Sequence, residues 1–255
     1  MPEKKIRQVP AVLAGLSGLQ VPVPKYLFPR EHKESSRLTY YSTFFNSIEI
    51  NSTFYKLPQQ RTITNWINSV PPEFKFTFKL WKEITHCKHL DFKESDVEKF
   101  FTIINTGAEK KGCVLVQFPP GLSGVHIGQV SLLLSNIQKH NRAEWPIAVE
   151  FRNKSWYNSS AYELLASQGI ALVIHDIPKS FTPMVEHTTN FIYVRFHGPT
   201  GNYRDSYPDS FLYEYATYVK EWVEEGKTVY LYFNNTMGAA FQNLQTLQNA
   251  IRSGI

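Results

Sequence analysis

The sequence predicts an α/β protein: a single TIM-type (β/α)8 barrel with one helix missing between its sixth and seventh strands. Three observations carry this. Eight short runs read as strands, amphipathic segments separate most of them, and the chain's 255 residues suit a barrel of roughly 250. Alternating strands and helices imply parallel pairing through right-handed crossovers. An open doubly wound sheet is the competitor, but no glycine-rich turn follows the first strand to support it. No linker or internal repeat divides the chain, so 1–255 reads as one domain.

The first strand is expected at 11–17. Lys4-Lys5 ahead of it imitates a signal peptide, but Gly15, Ser17 and Gly18 break the apolar stretch, and a buried strand explains it better. A helix follows over 34–45, where apolar residues recur at helical spacing. Strands at 47–51, 74–80, 113–118 and 147–152 alternate with helical patterns at 61–67, 96–104 and 130–137. The helix at 161–166 is introduced by Asn158-Ser159-Ser160, good N-cap chemistry, and stopped by Gly169. The sixth strand is 171–175. Residues 176–190 carry Pro178 and Pro183 without helical periodicity and read as a loop. A strand at 191–197 precedes a helix at 211–223, introduced by Pro208-Asp209-Ser210 and stopped by Gly226. The strand 228–234 and the helix 239–251 close the chain.

Composition narrows the function classes. With 42% apolar and 19% charged residues the chain is neither a disordered tail nor a disulfide-stapled miniprotein. Its 15% aromatic content leaves room for a stacking surface beyond the core. A net charge of +5 is a mild bias toward anionic partners, short of a nucleic-acid signature. Cys87 and Cys113 stand in no metal-ligand or redox spacing and read as reduced thiols of a cytoplasmic protein. No apolar run approaches the roughly 18 residues of a membrane span.

The strands alternate, and this carries the functional information. Ile48 and Ile50 alternate with Ser47, Glu49 and Asn51; Phe76 and Phe78 with Lys75, Thr77 and Lys79; Val194 and Phe196 with Tyr193, Arg195 and His197. Successive side chains point to opposite faces of a strand. The apolar set is therefore expected under the helices and the polar set inside the barrel. Ser17, Glu49, Asn51, Lys79, Gln117, Glu150, Arg152, His175, Arg195, His197 and Asn234 then converge on the C-terminal mouth, where barrel enzymes place their chemistry. Three cations (Lys79, Arg152, Arg195) face two carboxylates (Glu49, Glu150), a small excess that suits an anionic group. The alternative is a self-neutralising ion-pair lining. No Walker loop, H-E-x-x-H or nucleophile elbow occurs, so no dinucleotide cofactor is expected. A divalent metal is a weaker alternative, with Glu49, Glu150, Asp176, His175 and His197 as candidate ligands.

Phe45-Asn46-Ser47-Ile48-Glu49-Ile50-Asn51-Ser52-Thr53-Phe54-Tyr55 resembles the hallmark segment of the YecE-like family, domain of unknown function 72. The resemblance continues through Ile84-Thr85-His86, Gln117-Phe118-Pro119-Pro120, Val149-Glu150-Phe151-Arg152 with Ser155-Trp156, Tyr193 to Gly198, and Tyr232-Phe233-Asn234-Asn235. It spans almost the whole chain and implies a TIM-type barrel without implying an activity. Family members open with a Gly-Thr-Ser-Gly-Trp-type segment followed by a tyrosine. Here Gly15-Leu16-Ser17-Gly18-Leu19-Gln20 keeps the serine and loses the aromatic.

The expected function is acid/base chemistry on a polar anionic small molecule, a phosphorylated sugar or nucleotide-like compound. Glu49 and Glu150 would be general acid and base, with His197 and His175 as alternative proton carriers. Lys79, Arg152 and Arg195 would hold the anion. Asn51, Gln117 and Asn234 would orient hydroxyls, with Ser17 as a further contact. Tyr55, Trp156 and Tyr232 would stack on a ring, and His86 could reach the mouth. If Glu150 serves chemistry, Glu150→Gln should be nearly neutral or stabilising; a fall in melting point of several degrees would favour a scaffold role. The alternatives are a non-catalytic ligand-binding barrel, and a nucleic-acid-processing or nucleic-acid-binding barrel with a rim of Lys82, Lys88, Lys93 and Arg204.

Overall fold

The computed structural model describes residues 12–183, 185 and 189–253. Lys4-Lys5 and Ala11 lie outside these. The strands are β1 (Val12–Leu16), β2 (Ser47–Ile50), β3 (Lys75–Lys79), β4 (Lys111–Gln117), β5 (Ile147–Glu150), β6 (Ala171–Leu172), β7 (Ile174–His175), β8 (Phe191–Phe196) and β9 (Thr228–Phe233). The helices are α1 (Arg37–Tyr41), α2 (Ser52–Tyr55), α3 (Gln60–Asn68), α4 (Lys82–Thr85), α5 (Glu94–Ile104), α6 (Ile127–His140), α7 (Ser159–Ser167), α8 (Asp209–Glu224) and α9 (Ala240–Ser253). Every strand pairing is parallel, in two sheets of order β2-β3-β4-β5-β6 and β1-β9-β8-β7. No described helix is long and apolar enough to cross a membrane.

Local chemistry explains where several elements begin and end. Asn158 caps α7 by accepting from the Ala161 N–H at 3.1 Å, and Gly169 takes the left-handed φ of 64° just past its end. The first helix is shorter than 34–45. Ser36 Oγ accepts from the Thr39 N–H at 3.0 Å and sets its start, and 42–44 form turns that bring Phe45 and Asn46 back to the sheet. The predicted sixth strand is two pieces. The Val173 N–H still donates to Val149 O of β5 at 2.9 Å, whereas Ile174 and His175 register with Val194 and Arg195 of β8. One run thus leaves one sheet and enters the other. Among the described residues of 176–190 there is no helix.

The alternation separates two apolar layers. Ile48, Phe76, Phe78, Val116, Val149, Val194, Leu231 and Phe233 pack with the helices in one cluster. Cys113, Leu115, Ala148, Val173, Tyr193, Tyr230 and Tyr232 form a second, on the opposite face of the strands. This inner layer joins the two sheets. The Tyr232 hydroxyl on β9 lies 2.6 Å from Ser47 Oγ on β2 and 2.7 Å from Thr77 Oγ1 on β3.

No backbone ladder connects β1 to β2; side chains bridge them instead. Asn46 donates from Nδ2 to Val12 O at 2.8 Å and accepts at Oδ1 from Ala14 N–H at 2.9 Å. The Tyr41 hydroxyl accepts from Leu16 N–H at 2.8 Å and donates to Ser47 O at 2.9 Å. Backbone groups left without a ladder partner are thereby satisfied. The contact leaves no room at Gly15, where a Cβ would lie 2.0 Å from Ser47 O. Gly15→Ala is therefore expected to lower stability by about 1–3 kcal/mol, through overpacking against backbone. Urea denaturation measures it, and an unchanged midpoint would contradict this account of the junction.

Candidate functional site

The C-terminal ends of the strands open on a cavity of about 380 Å³. Seven of the residues singled out in the sequence line it: Ser17, Asn51, Tyr55, Lys79, Gln117, Arg152 and Asn234. Phe54, Tyr203, Thr236 and Met237 complete the lining. They were missed because Phe54 sits on the short α2 and the other three on connections, where no strand alternation marks an inward residue.

Beneath the cavity lies a network of charges that neutralise one another. Arg195, 1% exposed, grips Glu49 with two hydrogen bonds, Nε to Oε2 at 3.0 Å and Nη2 to Oε1 at 2.7 Å. Its Nη1 donates to Glu150 Oε2 at 2.7 Å. Arg152 donates from Nε to the other oxygen of Glu150, and the Tyr193 hydroxyl donates to Glu49 Oε2 at 2.5 Å. Both carboxylates are fully buried. Burial alone would raise the Glu150 carboxyl, but Arg152 and Arg195 outweigh it and hold its pKa well below the usual range. A group held so firmly ionised is poorly placed to deliver a proton.

The histidines also have committed roles. Arginine N–H groups only donate, so His197 Nε2 must accept from Arg152 Nη2 (3.0 Å) and Arg195 Nη1 (3.2 Å). The proton then sits on Nδ1, facing Asp176 Oδ1 at 3.3 Å. Burial is the main reason the His197 pKa falls to about 4; Asp176 and Glu150 oppose the shift. Asp176 also accepts from the Tyr207 hydroxyl. His175 Nδ1 accepts from Ile177 N–H at 3.3 Å, which leaves Nε2 to donate to Phe151 O at 2.9 Å. It is buried, with its pKa lowered chiefly by that burial, and it faces backbone rather than the cavity.

Two aromatics expected to stack on a ligand lie elsewhere. Trp156 is fully buried in the layer beneath the helices, 4.4 Å from the Phe151 ring and donating to Leu122 O at 2.7 Å. It belongs to the apolar cluster that also holds Phe151 and Leu122. Tyr232 is inward, as the alternation requires, but fully buried below the carboxylates with its hydroxyl held by Ser47 and Thr77. His86 is exposed, 4.8 Å from the Phe54 ring and outside the cavity lining. Its pKa falls to about 4 through partial loss of water around the ring first, then Lys79 and Arg152.

Lys79 stands apart. Its Nζ donates to the neutral Gln117 Oε1 at 2.8 Å and lies 4.1 Å from the centre of the Phe54 ring. Among the described residues it has no carboxylate within salt-bridge distance. Its pKa is lowered to about 7, by burial first and by Arg195 second; Glu150 and Glu49 oppose the shift and Arg152 adds to it. Across the cavity, Ser17 Oγ and Asn51 Oδ1 are buried without a hydrogen-bond partner. Buried polar atoms left without a partner are uncommon, and these two share one cavity with Lys79.

Among the described residues no group of three His, Cys, Asp or Glu side chains is arranged to hold a metal ion. The Arg195 guanidinium spans Glu49 and Glu150, two of the five candidate metal ligands. Cys87 and Cys113 are free thiols, and burial pushes both pKa values up.

Parallel strands alternating with helices, with polar side chains gathered at the strands' C-terminal ends, define an α/β protein of TIM-barrel-like type. The fold is similar to that of a protein described as a xylose isomerase-like TIM barrel/4-hydroxyphenylpyruvate dioxygenase fusion, with a TM-score of 0.50 at 15% identity over 95% of this chain and 41% of that one. Residues 14–254 match the family described as "Protein of unknown function DUF72", and the chain belongs to that family. The UPF0759 protein YunF of Bacillus subtilis (strain 168) is 25% identical over 242 residues, 83% of this chain and 85% of YunF. Among solved structures, a DUF72 family protein from Enterococcus faecalis V583 superposes with a TM-score of 0.77 at 21% identity, covering 94% of this chain and 95% of that one. Another from Thermotoga maritima MSB8 gives 0.73 at 27% identity, covering 94% and 98%.

Proposed function

We propose that the chain is a cytoplasmic enzyme, one (β/α)8-type barrel, that acts by proton transfer on a small, polar, anionic molecule such as a phosphorylated sugar or a nucleotide-like compound. The observation that carries this is the contrast between Lys79 and its surroundings. Glu49, Glu150, Arg152 and Arg195 satisfy one another, whereas among the described residues the Lys79 amine meets only a neutral amide and an aromatic face. A group with a pKa near 7 carries protons in either direction at physiological pH. Lys79 therefore takes the acid/base role that the sequence suggested for Glu49 and Glu150. Arg152 lines the cavity with its three nitrogens each making one hydrogen bond inside the protein; the guanidinium has five N–H groups, so two remain for an anion. Ser17 Oγ and Asn51 Oδ1 would receive hydroxyls of the same molecule.

The test is thermal unfolding with millimolar glycerol 3-phosphate, glycerol or inorganic phosphate. A ligand at about a hundred times its Kd adds roughly 2.7 kcal/mol. The expected result is a rise of several degrees with glycerol 3-phosphate, a smaller rise with phosphate, and none with glycerol. Equal indifference to all three would overturn the anion assignment. The rim residues Lys82, Lys88, Lys93 and Arg204 are all exposed. Binding of a single-stranded oligonucleotide that weakens steeply with salt would favour the nucleic-acid reading instead.

A further inference from the structure

We propose that Lys79 is a covalent catalyst: its Nζ condenses with the carbonyl carbon of a phosphorylated or carboxylated hydroxy-aldehyde or hydroxy-ketone to form an imine. The inference rests on the reading of this cavity as an anion site and names its substrate class.

Four features of the site point to it. Lys79 lines the cavity, as do both residues its amine touches, Gln117 and Phe54, so a carbonyl compound held there comes within reach of Nζ. Its hydrogen-bond partner, Gln117 Oε1, accepts without neutralising or protonating it. Burial first, and Arg195 and Arg152 after it, disfavour an ammonium and lower its pKa to about 7, which leaves a substantial fraction of free amine at neutral pH. Other lysines near the strands are spent on structure: Lys110 donates to Val70 O and Pro71 O at 2.8 and 2.7 Å, and Lys111 to Ala143 O at 2.5 Å.

The step balances without an external oxidant or reductant. The neutral amine adds to the carbonyl carbon, and the π pair moves to oxygen. A proton passes from nitrogen to that oxygen, giving a carbinolamine. Solvent protonates the hydroxyl, which leaves as water while the nitrogen lone pair forms the C=N bond. The iminium carries one positive charge, and Nζ keeps its place over Phe54, 4.1 Å from the ring centre, so the ring face that steadies an ammonium also steadies the iminium. The substrate's hydroxyls would meet Ser17 Oγ and Asn51 Oδ1, the two unpartnered buried atoms, and its anionic group would meet Arg152. An iminium withdraws electrons from the adjacent carbon, so the class of reaction is isomerisation or carbon–carbon bond cleavage next to a carbonyl.

The experiment is reductive trapping. The protein is incubated at pH 7 with dihydroxyacetone phosphate and cyanoborohydride, and adducts are located by peptide mass mapping. The expected result is one adduct per chain, on Lys79, formed at least tenfold faster than at any other lysine and absent from Lys79→Met. Adducts spread over the exposed lysines at similar rates, with Lys79 unmodified, would overturn the proposal. Glycerol 3-phosphate has no carbonyl, so the two readings fail separately. Stabilisation by it without a Lys79 adduct overturns the imine and leaves the anion site standing. A Lys79 adduct without such stabilisation supports the imine and removes the anion site. Retained circular dichroism in Lys79→Met shows that a lost adduct reflects the missing amine.

Discussion

Arg195→Met should cost at least about 3–5 kcal/mol of folding stability, the usual penalty for removing one partner of a buried ion pair. The guanidinium is 1% exposed and makes three hydrogen bonds to two fully buried carboxylates. Without it, among the described residues, Glu49 keeps only the hydrogen bond from the Tyr193 hydroxyl and Glu150 only that from Arg152. A typical domain has about 5–15 kcal/mol in total, so the variant stands near the edge of folding. The pH dependence has a definite sign. Glu150 is held below its ordinary pKa in the folded protein, so its contribution is present above the unfolded-state pKa, near 4.5, and is lost as pH falls toward the folded value. The gap between the two proteins should therefore narrow from pH 7 to pH 4, because protonation relieves the Glu150 carboxylate. Urea denaturation across that range measures it; a loss under 1 kcal/mol at pH 7 would show that the network is not structural. Glu150→Gln acts on the same floor. The sequence reading expects it to be neutral if Glu150 serves chemistry, but with two arginines on this carboxylate the expected result is a melting point lower by several degrees.

Lys79→Met should have the opposite effect and stabilise the ligand-free protein. The Lys79 pKa is about 7 against an ordinary 10.5, so between these values the unfolded chain holds a proton that the folded chain has released. Stability contributed by this group then rises with pH across the window. The destabilisation is fully present below pH 7 and gone above about 10.5. Each unit corresponds to about 1.4 kcal/mol; with the side chain partly exposed and the Gln117 bond lost, the expected gain at pH 6 is on the order of 2–3 kcal/mol. Methionine keeps the length of the stem. Melting curves from pH 6 to pH 10 should show a gain that shrinks steadily as pH rises. A variant less stable than the parent at pH 6 would mean that the ammonium stabilises the fold, contrary to the site described above.

Much of this arrangement was legible in the sequence. Period-two alternation in Ser47–Ile50, Lys75–Lys79 and Phe191–Phe196 separates the inner from the outer face, because strand geometry leaves a residue no third direction. That places Glu49, Lys79, Arg195 and His197 inward without any coordinates. Which inward residues line the cavity was less legible. Glu49, Glu150, Arg195 and His197 do not line the cavity, while Ser17, Asn51, Gln117, Arg152 and Asn234 do, although Glu150 stands opposite Gln117 in the ladder. Pairing was not legible at all: equal numbers of carboxylates and arginines do not say that Arg195 reaches both Glu49 and Glu150 and leaves Lys79 without a carboxylate. Trp156 shows the other limit. It lies six residues after Glu150, beyond the strand's end, where alternation no longer fixes direction, and the chain turns it onto Phe151. Tyr203 has φ of 68° on the connection after β8, a position no periodic pattern marks. The seam between β1 and β2 was hidden too, because it is made by two side chains, Asn46 and Tyr41, in place of a ladder.

The most direct test of the site is the titration of the Lys79 amine. Carbon-13 NMR of protein labelled at the lysine ε carbon resolves each lysine, and the signal absent from Lys79→Met is that of Lys79. The expected midpoint is about 7, while the exposed lysines titrate near 10.4. A Lys79 midpoint at or above 10 would leave an ordinary ammonium in the cavity and remove both the proton carrier and the imine-forming amine.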